Sequence, residues 1–120
     1  MKKNVFLILL SVITGCMFLK PAELQEISPA DLKMVMKERD VFLVDVHVPE
    51  QKHIPGTDLF VPYNRIPENL HRFPPDLSTP IYLYCESGPM GNAAARELFE
   101  HGYSRIYNLK GGADAWFEME

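Results

Sequence analysis

The sequence predicts an α/β domain in which a small, mostly parallel sheet is flanked by helices on both faces. From residue 24 onwards, short apolar runs alternate with helical segments, a pattern typical of parallel strands joined by helices. The runs at 41–46 and 81–84 are apolar enough to be strands covered on both faces. With 120 residues, of which 47% are hydrophobic and 23% charged, the chain suffices for one folded domain and not for two.

Local patterns predict the individual elements. Ser28 and Pro29 are typical of a helix start, because serine caps the first turn and proline fits its first position. Apolar residues at helical spacing continue this helix to about residue 39. Gly102 favours the end of a helix over 92–101. The other predicted elements are strands at 41–46, 59–61, 81–84 and 106–109, a helical stretch at 66–73, and a short last helix that follows Gly111-Gly112 and carries Trp116.

The first nineteen residues have the features of a targeting segment. Lys2 and Lys3 precede an apolar run at 5–13, the arrangement of a secretory signal peptide. The run leads into Ile13-Thr14-Gly15-Cys16, which resembles the lipobox of bacterial lipoproteins, where cleavage frees the cysteine for lipid attachment. We therefore expect a signal peptide at 1–15, a linker at 16–23 and a domain at 24–120.

These features predict an exported protein that is anchored to the membrane through lipid on Cys16 and lies in the periplasm or another extracytoplasmic space. The alternative is an uncleaved N-terminal anchor. The apolar segment at 5–19 is shorter than the roughly 20 residues that span a bilayer as a helix, which favours cleavage.

Composition excludes some classes of function. The formal net charge is −4, whereas a nucleic-acid-binding domain needs a basic face, so we expect no nucleic-acid partner. His47, His71 and His101 are scattered along the chain without the spacing of metal ligands. The sequence therefore predicts no metal site and no cofactor.

Cys85 is the candidate nucleophile. It follows the strand at 81–84, and sites in parallel sheets gather at the carboxyl ends of strands. After it comes a loop in which Gly88 and Gly91 would allow backbone N–H groups to turn toward one centre, Glu86-Ser87-Gly88-Pro89-Met90-Gly91. Those amides and the dipole of the next helix favour a thiolate, the nucleophilic form of cysteine. The same arrangement also suits a phosphate cradle, an inert buried cysteine or a Cys16–Cys85 disulfide.

Four segments, in order along the predicted domain, carry a resemblance. They are Val44-Asp45-Val46, His53-Ile54-Pro55-Gly56, Tyr84-Cys85-Glu86-Ser87-Gly88 and Leu109-Lys110-Gly111-Gly112-Ala113-Asp114-Ala115-Trp116. Together they resemble the single-domain rhodaneses. The resemblance implies a small parallel sheet flanked by helices. It also implies sulfur transfer, in which Cys85 takes sulfane sulfur from a small donor as a persulfide and passes it to a thiol or cyanide acceptor.

The loop departs from that family at three positions. Rhodaneses often carry a basic residue after the cysteine, then an arginine and a serine further on, where this chain has Glu86, Met90 and Gly91. A dianionic donor would meet Glu86 without a loop arginine. The expected function is a sulfurtransferase or persulfide carrier, and the alternative is a non-catalytic rhodanese-like binding or regulatory module at the cell envelope. A phosphatase or arsenate-reducing loop would require arginine at Gly91.

The remaining candidates have simpler expected roles. Asp45 is expected to support the site through a structural hydrogen bond, and His53 to be a turn residue. Arg96 is expected on a solvated helix face and Trp116 in the core. Met90 is interpreted as either an apolar rim of the site or an ordinary surface methionine.

Overall fold

The computed structural model describes residues 23–120. Within that range no helix is both long enough and apolar enough to cross a membrane. The expected signal peptide, Cys16 and all but the last residue of the expected linker lie outside the described residues.

Five strands form a single sheet in which every neighbouring pair is parallel. They are β1 (Gln25–Ile27), β2 (Phe42–Asp45), β3 (Leu59–Phe60), β4 (Ile81–Tyr84) and β5 (Ile106–Leu109). Their order across the sheet is β1-β5-β4-β2-β3, which places β4 in the centre. Cys85 therefore follows the central strand, and it has β5 on one side and β2 on the other.

Helices connect the strands. They are α1 (Pro29–Glu38), a 3-10 helix (Pro67–Arg72), α2 (Pro89–Glu100) and α3 (Gly112–Glu118). Ser28 caps α1, since the Asp31 N–H donates to its Oγ at 3.1 Å. The predicted strands and helices are present. Strand β1 was missed, because Gln25 and Glu26 are polar and exposed and show no strand pattern.

Alternate side chains along the strands pack on opposite faces of the sheet, as the pleat requires. One cluster lies under α2 and the 3-10 helix and contains Val44, Leu83, Cys85, Leu98 and Ile106. The other lies under α1 and α3 and contains Leu32, Leu43, Tyr84, Leu109 and Trp116. The expected sheet with helices on both faces is confirmed, and Trp116 packs in the core as expected.

The start of α2 corrects one expectation. The sequence predicted a helix over 92–101 after a six-residue loop, but α2 begins at Pro89 and ends at Glu100. Proline suits the first helical position because its ring fixes φ near the helical value and no N–H is needed there. The loop after Cys85 is therefore only Glu86-Ser87-Gly88, and Pro89, Met90 and Gly91 form the first turn of α2.

Candidate functional site

The Cys85 side chain lies on the α2 face of the sheet, at the N-terminus of that helix. Cys85 is 1% exposed, and its thiol has no disulfide partner among residues 23–120. The Gly88 N–H donates to Cys85 Sγ at 2.9 Å. Gly88 has a φ of 135°, a value that glycine adopts readily and that residues with a side chain rarely adopt. A backbone donor and the positive end of the α2 dipole thus both favour negative charge on the sulfur.

The N-terminus of α3 holds the backbone of the Cys85 loop. The Ala113 N–H donates to the Cys85 carbonyl at 2.8 Å, and the Asp114 N–H donates to the Glu86 carbonyl at 3.0 Å. Gly112 makes this approach possible, because a Cβ there would lie 2.5 Å from both carbonyl oxygens. Its φ of 61° also favours glycine. The Gly-Gly segment noted in the sequence thus locks α3 onto the loop.

Asn108 of β5 fixes the loop from the α2 side. Its Nδ2 donates to the Gly88 carbonyl at 3.0 Å and to Asn92 Oδ1 at 2.9 Å. Its Oδ1 is buried without a conventional hydrogen-bond partner in the described chain. A Cβ at Gly91 would lie 2.1 Å from this oxygen, so the glycine hydrogen in that direction makes a weak C–H···O contact. Gly91 is therefore glycine because Asn108 packs against it, and not for loop curvature as the sequence predicted.

Asp45 is a fully buried acceptor at the end of β2. Its carboxylate accepts hydrogen bonds from the His47 backbone N–H at 3.0 Å and from Gln51 Nε2 at 3.1 Å, and it contacts His53 Nδ1 at 2.8 Å. These contacts are those of a structural acceptor, which holds the segment after β2 in place beside the Cys85 loop.

His53 bridges two carboxylates. Its Nδ1 lies 2.8 Å from Asp45 Oδ2 and its Nε2 lies 2.6 Å from Glu50 Oε2. The hydrogen bond with Glu50 is the main cause of a raised pKa for His53, partial burial opposes it, and Asp45 raises the pKa further. A charged His53 ties the segment between β2 and β3 to the buried Asp45.

An open cavity of about 160 Å³ has Cys85 in its lining. This volume is below the roughly 300–1,000 Å³ of sites for drug-sized ligands, so the cavity suits a small molecule. Its lining is made of His47, Cys85, Glu86, Ser87, Pro89 and Met90. Of the predicted loop residues, Gly88 instead contacts the sulfur directly, and Gly91 faces Asn108. Met90 is half-buried and also packs against the core beneath α2.

His47 also lines the cavity, although no sequence pattern indicated it as a site residue. Its Nδ1 lies 2.7 Å from the Pro49 carbonyl, and its Nε2 lies 3.1 Å from Glu86 Oε2. The available signal was its place two residues after Asp45. The carboxyl end of β2 meets the Cys85 loop only because β2 and β4 are neighbours in the sheet.

Two further features of the described chain are the position of Arg96 and the arrangement of side chains that could bind a metal. Arg96 is exposed and lies beside Tyr63 and Glu100, away from the Cys85 cavity. Within residues 23–120, His, Cys, Asp and Glu form no group of three or more with the arrangement of a metal site.

Comparisons with known proteins agree with the fold and the motifs. Residues 28–119 match the family described as rhodanese-like domain. A sulfurtransferase of Allochromatium vinosum is 38% identical over 80 residues, covering 64% of this chain and 72% of that protein. The thiosulfate sulfurtransferase GlpE of Coxiella burnetii is 27% identical over 95 residues, covering 77% of this chain and 86% of that protein. The crystal structure of a rhodanese-like domain protein from Staphylococcus aureus aligns with a TM-score of 0.68 at 29% identity, covering 77% of this chain and 90% of that one.

The bridge made by His53 predicts a pH-dependent stability. Its folded-state pKa is raised above the ordinary 6.5, so its stabilising effect is full below that pH and is lost as the pH rises through the folded-state pKa. The free energy of unfolding of the parent and of His53→Gln, measured in urea between about pH 6 and pH 9, should therefore converge with rising pH. His71→Gln, at an exposed site in the 3-10 helix, is the matched control. A difference between parent and His53→Gln that stays constant with pH would contradict the prediction.

The contact between Gly91 and Asn108 predicts strong coupling between the two positions. In a helix, Gly→Ala normally stabilises by about 1 kcal/mol, but here the new Cβ would overlap Asn108 Oδ1. We expect Gly91→Ala to destabilise the domain by about 1–3 kcal/mol, and to have little or no further cost in an Asn108→Ala background. Chemical denaturation of both single variants and the double variant measures the coupling. Additive effects would show that Asn108 is not what excludes a side chain at 91.

Proposed function

This chain belongs to the rhodanese-like domain family, and we propose that it is a sulfurtransferase that carries sulfane sulfur as a persulfide on Cys85. The observation that carries the proposal is the contact of Cys85 Sγ with the Gly88 N–H at 2.9 Å. This donor and the N-terminus of α2 favour a thiolate. The small cavity lined in part by Cys85 is of a size to hold a donor of a few atoms.

The proposed reaction has two displacements. The Cys85 thiolate attacks the sulfane sulfur of the donor, and the bond from that sulfur to the rest of the donor breaks. With thiosulfate, the electron pair of that bond leaves with sulfite, and Cys85 becomes a persulfide anion. An acceptor thiolate or cyanide then attacks the outer sulfur, and Cys85 leaves as the thiolate with which it began. The cycle balances without an external oxidant or reductant.

Two comparisons support sulfur transfer. The relative from Allochromatium vinosum is a sulfurtransferase, and the one from Coxiella burnetii is a thiosulfate sulfurtransferase. One observation favours the alternative, a non-catalytic binding module. Neither lysine nor arginine is among the described residues that line the Cys85 cavity, and Glu86 places a carboxylate at its edge. A binding module has no chemical need for a thiol at the end of β4, which is why we prefer the sulfurtransferase.

Replacement of Cys85 by serine tests the nucleophile. Serine keeps the size of the side chain but has no thiolate at neutral pH, so Cys85→Ser should fold normally and form no persulfide. The measurement is mass spectrometry of the full chain after exposure to thiosulfate or another sulfane donor, which detects the added mass of one sulfur atom. Cys16→Ala is the matched control, because it removes the other cysteine of the chain and should keep the adduct. An adduct that survives Cys85→Ser, or one that is absent from the parent with every donor, would overturn the proposal.

We further propose that the protein is exported and anchored through lipid on Cys16. The support is the sequence Ile13-Thr14-Gly15-Cys16 after an apolar run with a basic start. Labelled fatty acid should enter the parent and not Cys16→Ala when both are expressed in a bacterium. Cys85→Ser is the control and should be labelled like the parent. Equal labelling of parent and Cys16→Ala would refute lipidation at this residue, and a membrane-bound parent without label would favour an uncleaved anchor.

A further inference from the structure

We infer that His47 is the residue that binds anionic sulfur donors as they enter the Cys85 cavity, with Glu86 as its counter-ion in their absence. The inference rests on the proposed function for the nature of the donor. The location of the charge rests on the contacts of His47 alone. Among the described residues lining the cavity, His47 has the one side chain able to carry positive charge.

The two partners of the imidazole ring indicate its charged form. Nδ1 lies 2.7 Å from the Pro49 carbonyl oxygen, which can only accept a hydrogen bond. Nε2 lies 3.1 Å from Glu86 Oε2, and an ionised carboxylate also only accepts. Both contacts are hydrogen bonds only when both ring nitrogens carry a hydrogen atom, that is, when His47 is an imidazolium.

The ionisable groups around His47 lie on two segments. Glu86 and the Cys85 thiol come from the loop after β4, and both line the cavity with His47. On its own segment, Asp45 accepts the His47 backbone N–H at 3.0 Å, and Asp45 is in turn bound by His53, which contacts Glu50. Two carboxylates thus lie close to His47, and one of them is buried and already has partners.

Exposure distinguishes the fixed partner from the exchangeable one. The His47 side chain is 13% exposed, so the ring is held in place, whereas the Glu86 side chain is 55% exposed. When the Glu86 carboxylate turns into solvent, the Nε2–H is free to donate to an oxygen of an entering oxyanion. The class of donor is therefore a sulfane sulfur bonded to an oxyanion group, for which thiosulfate is the probe.

Alkylation of Cys85 by iodoacetate and iodoacetamide measures this charge without sulfur transfer. Both reagents react with the same Cys85 thiolate, so the fraction of thiolate cancels in the ratio of their rate constants. Because iodoacetate is an anion and iodoacetamide is neutral, the ratio reports the electrostatic potential beside Cys85. All proteins carry Cys16→Ala, which leaves Cys85 as their sole cysteine. The rate constant for iodoacetate divided by that for iodoacetamide should fall about fivefold in His47→Gln. The same ratio should be retained in His47→Lys and should rise in Glu86→Gln.

The pH profile of the same ratio identifies the group. In the parent the ratio should fall with rising pH, because an imidazolium loses its positive charge when it is deprotonated, and it should be flat in His47→Gln and His47→Lys. His53→Gln and His71→Gln are controls, in which the ratio should still fall with rising pH. The inference would be overturned if the ratio still fell with rising pH in His47→Gln, or if the ratio of the two alkylation rate constants were equal in all variants. Glu86 is exposed, so Glu86→Gln keeps the test valid if the His47 variants fold poorly. A ratio of rate constants in Glu86→Gln that is equal to or below that of the parent would also overturn the inference.

Thiosulfate separates this inference from the proposed function. The rate constant for persulfide formation should be lower in His47→Gln and higher in Glu86→Gln than in the parent. If the alkylation ratio depends on His47 but no variant takes sulfur from any donor, the charge assignment stands and the proposed sulfur transfer is wrong. If thiosulfate reacts equally with the parent and His47→Gln while the alkylation ratio is unchanged, the inference is wrong and the sulfur transfer stands.

Discussion

The close contact of Gly112 with the backbone of Cys85 and Glu86 is the constraint on which the geometry of the site depends. A side chain at Gly112 would overlap both carbonyl oxygens and push α3 away from the sheet. The Ala113 and Asp114 amides would then lose their acceptors. The two carbonyls would also lose their partners where the chain leaves the buried centre of the sheet, and buried backbone groups without partners are costly. The absence of a Cβ at one residue thus fixes the direction in which the chain leaves β4.

The loop is held from both faces of the sheet because β4 is central. On one face α3 binds the carbonyls of Cys85 and Glu86, and on the other Asn108 binds the Gly88 carbonyl. Between these anchors, the Gly88 N–H is directed at the sulfur. Donors held in place before the reaction stabilise charge more effectively than donors that must reorient. For Asn108 to reach the loop, its Oδ1 is left without a conventional hydrogen-bond partner in the described chain, and residue 91 has to be glycine.

Sequence patterns predicted most of the fold and part of the site. Strands β4 and β5 were predicted with the bounds that the structure gives, because Pro80 precedes the first run and Arg105 and Lys110 border the second. Their side chains alternate between the two core clusters. The reason for Gly91 was not predictable, since it depends on Asn108, a residue of another strand that reaches it only in the folded sheet. His47 was missed for a similar reason, because its meeting with Glu86 requires the β2–β4 pairing that local patterns do not specify.

Backbone groups and side chains make separate electrostatic contributions to the cavity. The Gly88 amide and the α2 dipole act on the sulfur itself, and their partial charges do not change with pH. The charge at the edge belongs to His47 and Glu86, an imidazole and an exposed carboxylate. In the proposed reaction the backbone would therefore stabilise the thiolate and the persulfide anion under all conditions. The side chains would govern how readily an anion arrives. The absence of the loop arginine that rhodaneses often carry would then alter the choice of donor more than the stability of the sulfur carried by Cys85, since no hydrogen bond to the sulfur in the described chain comes from a cationic side chain.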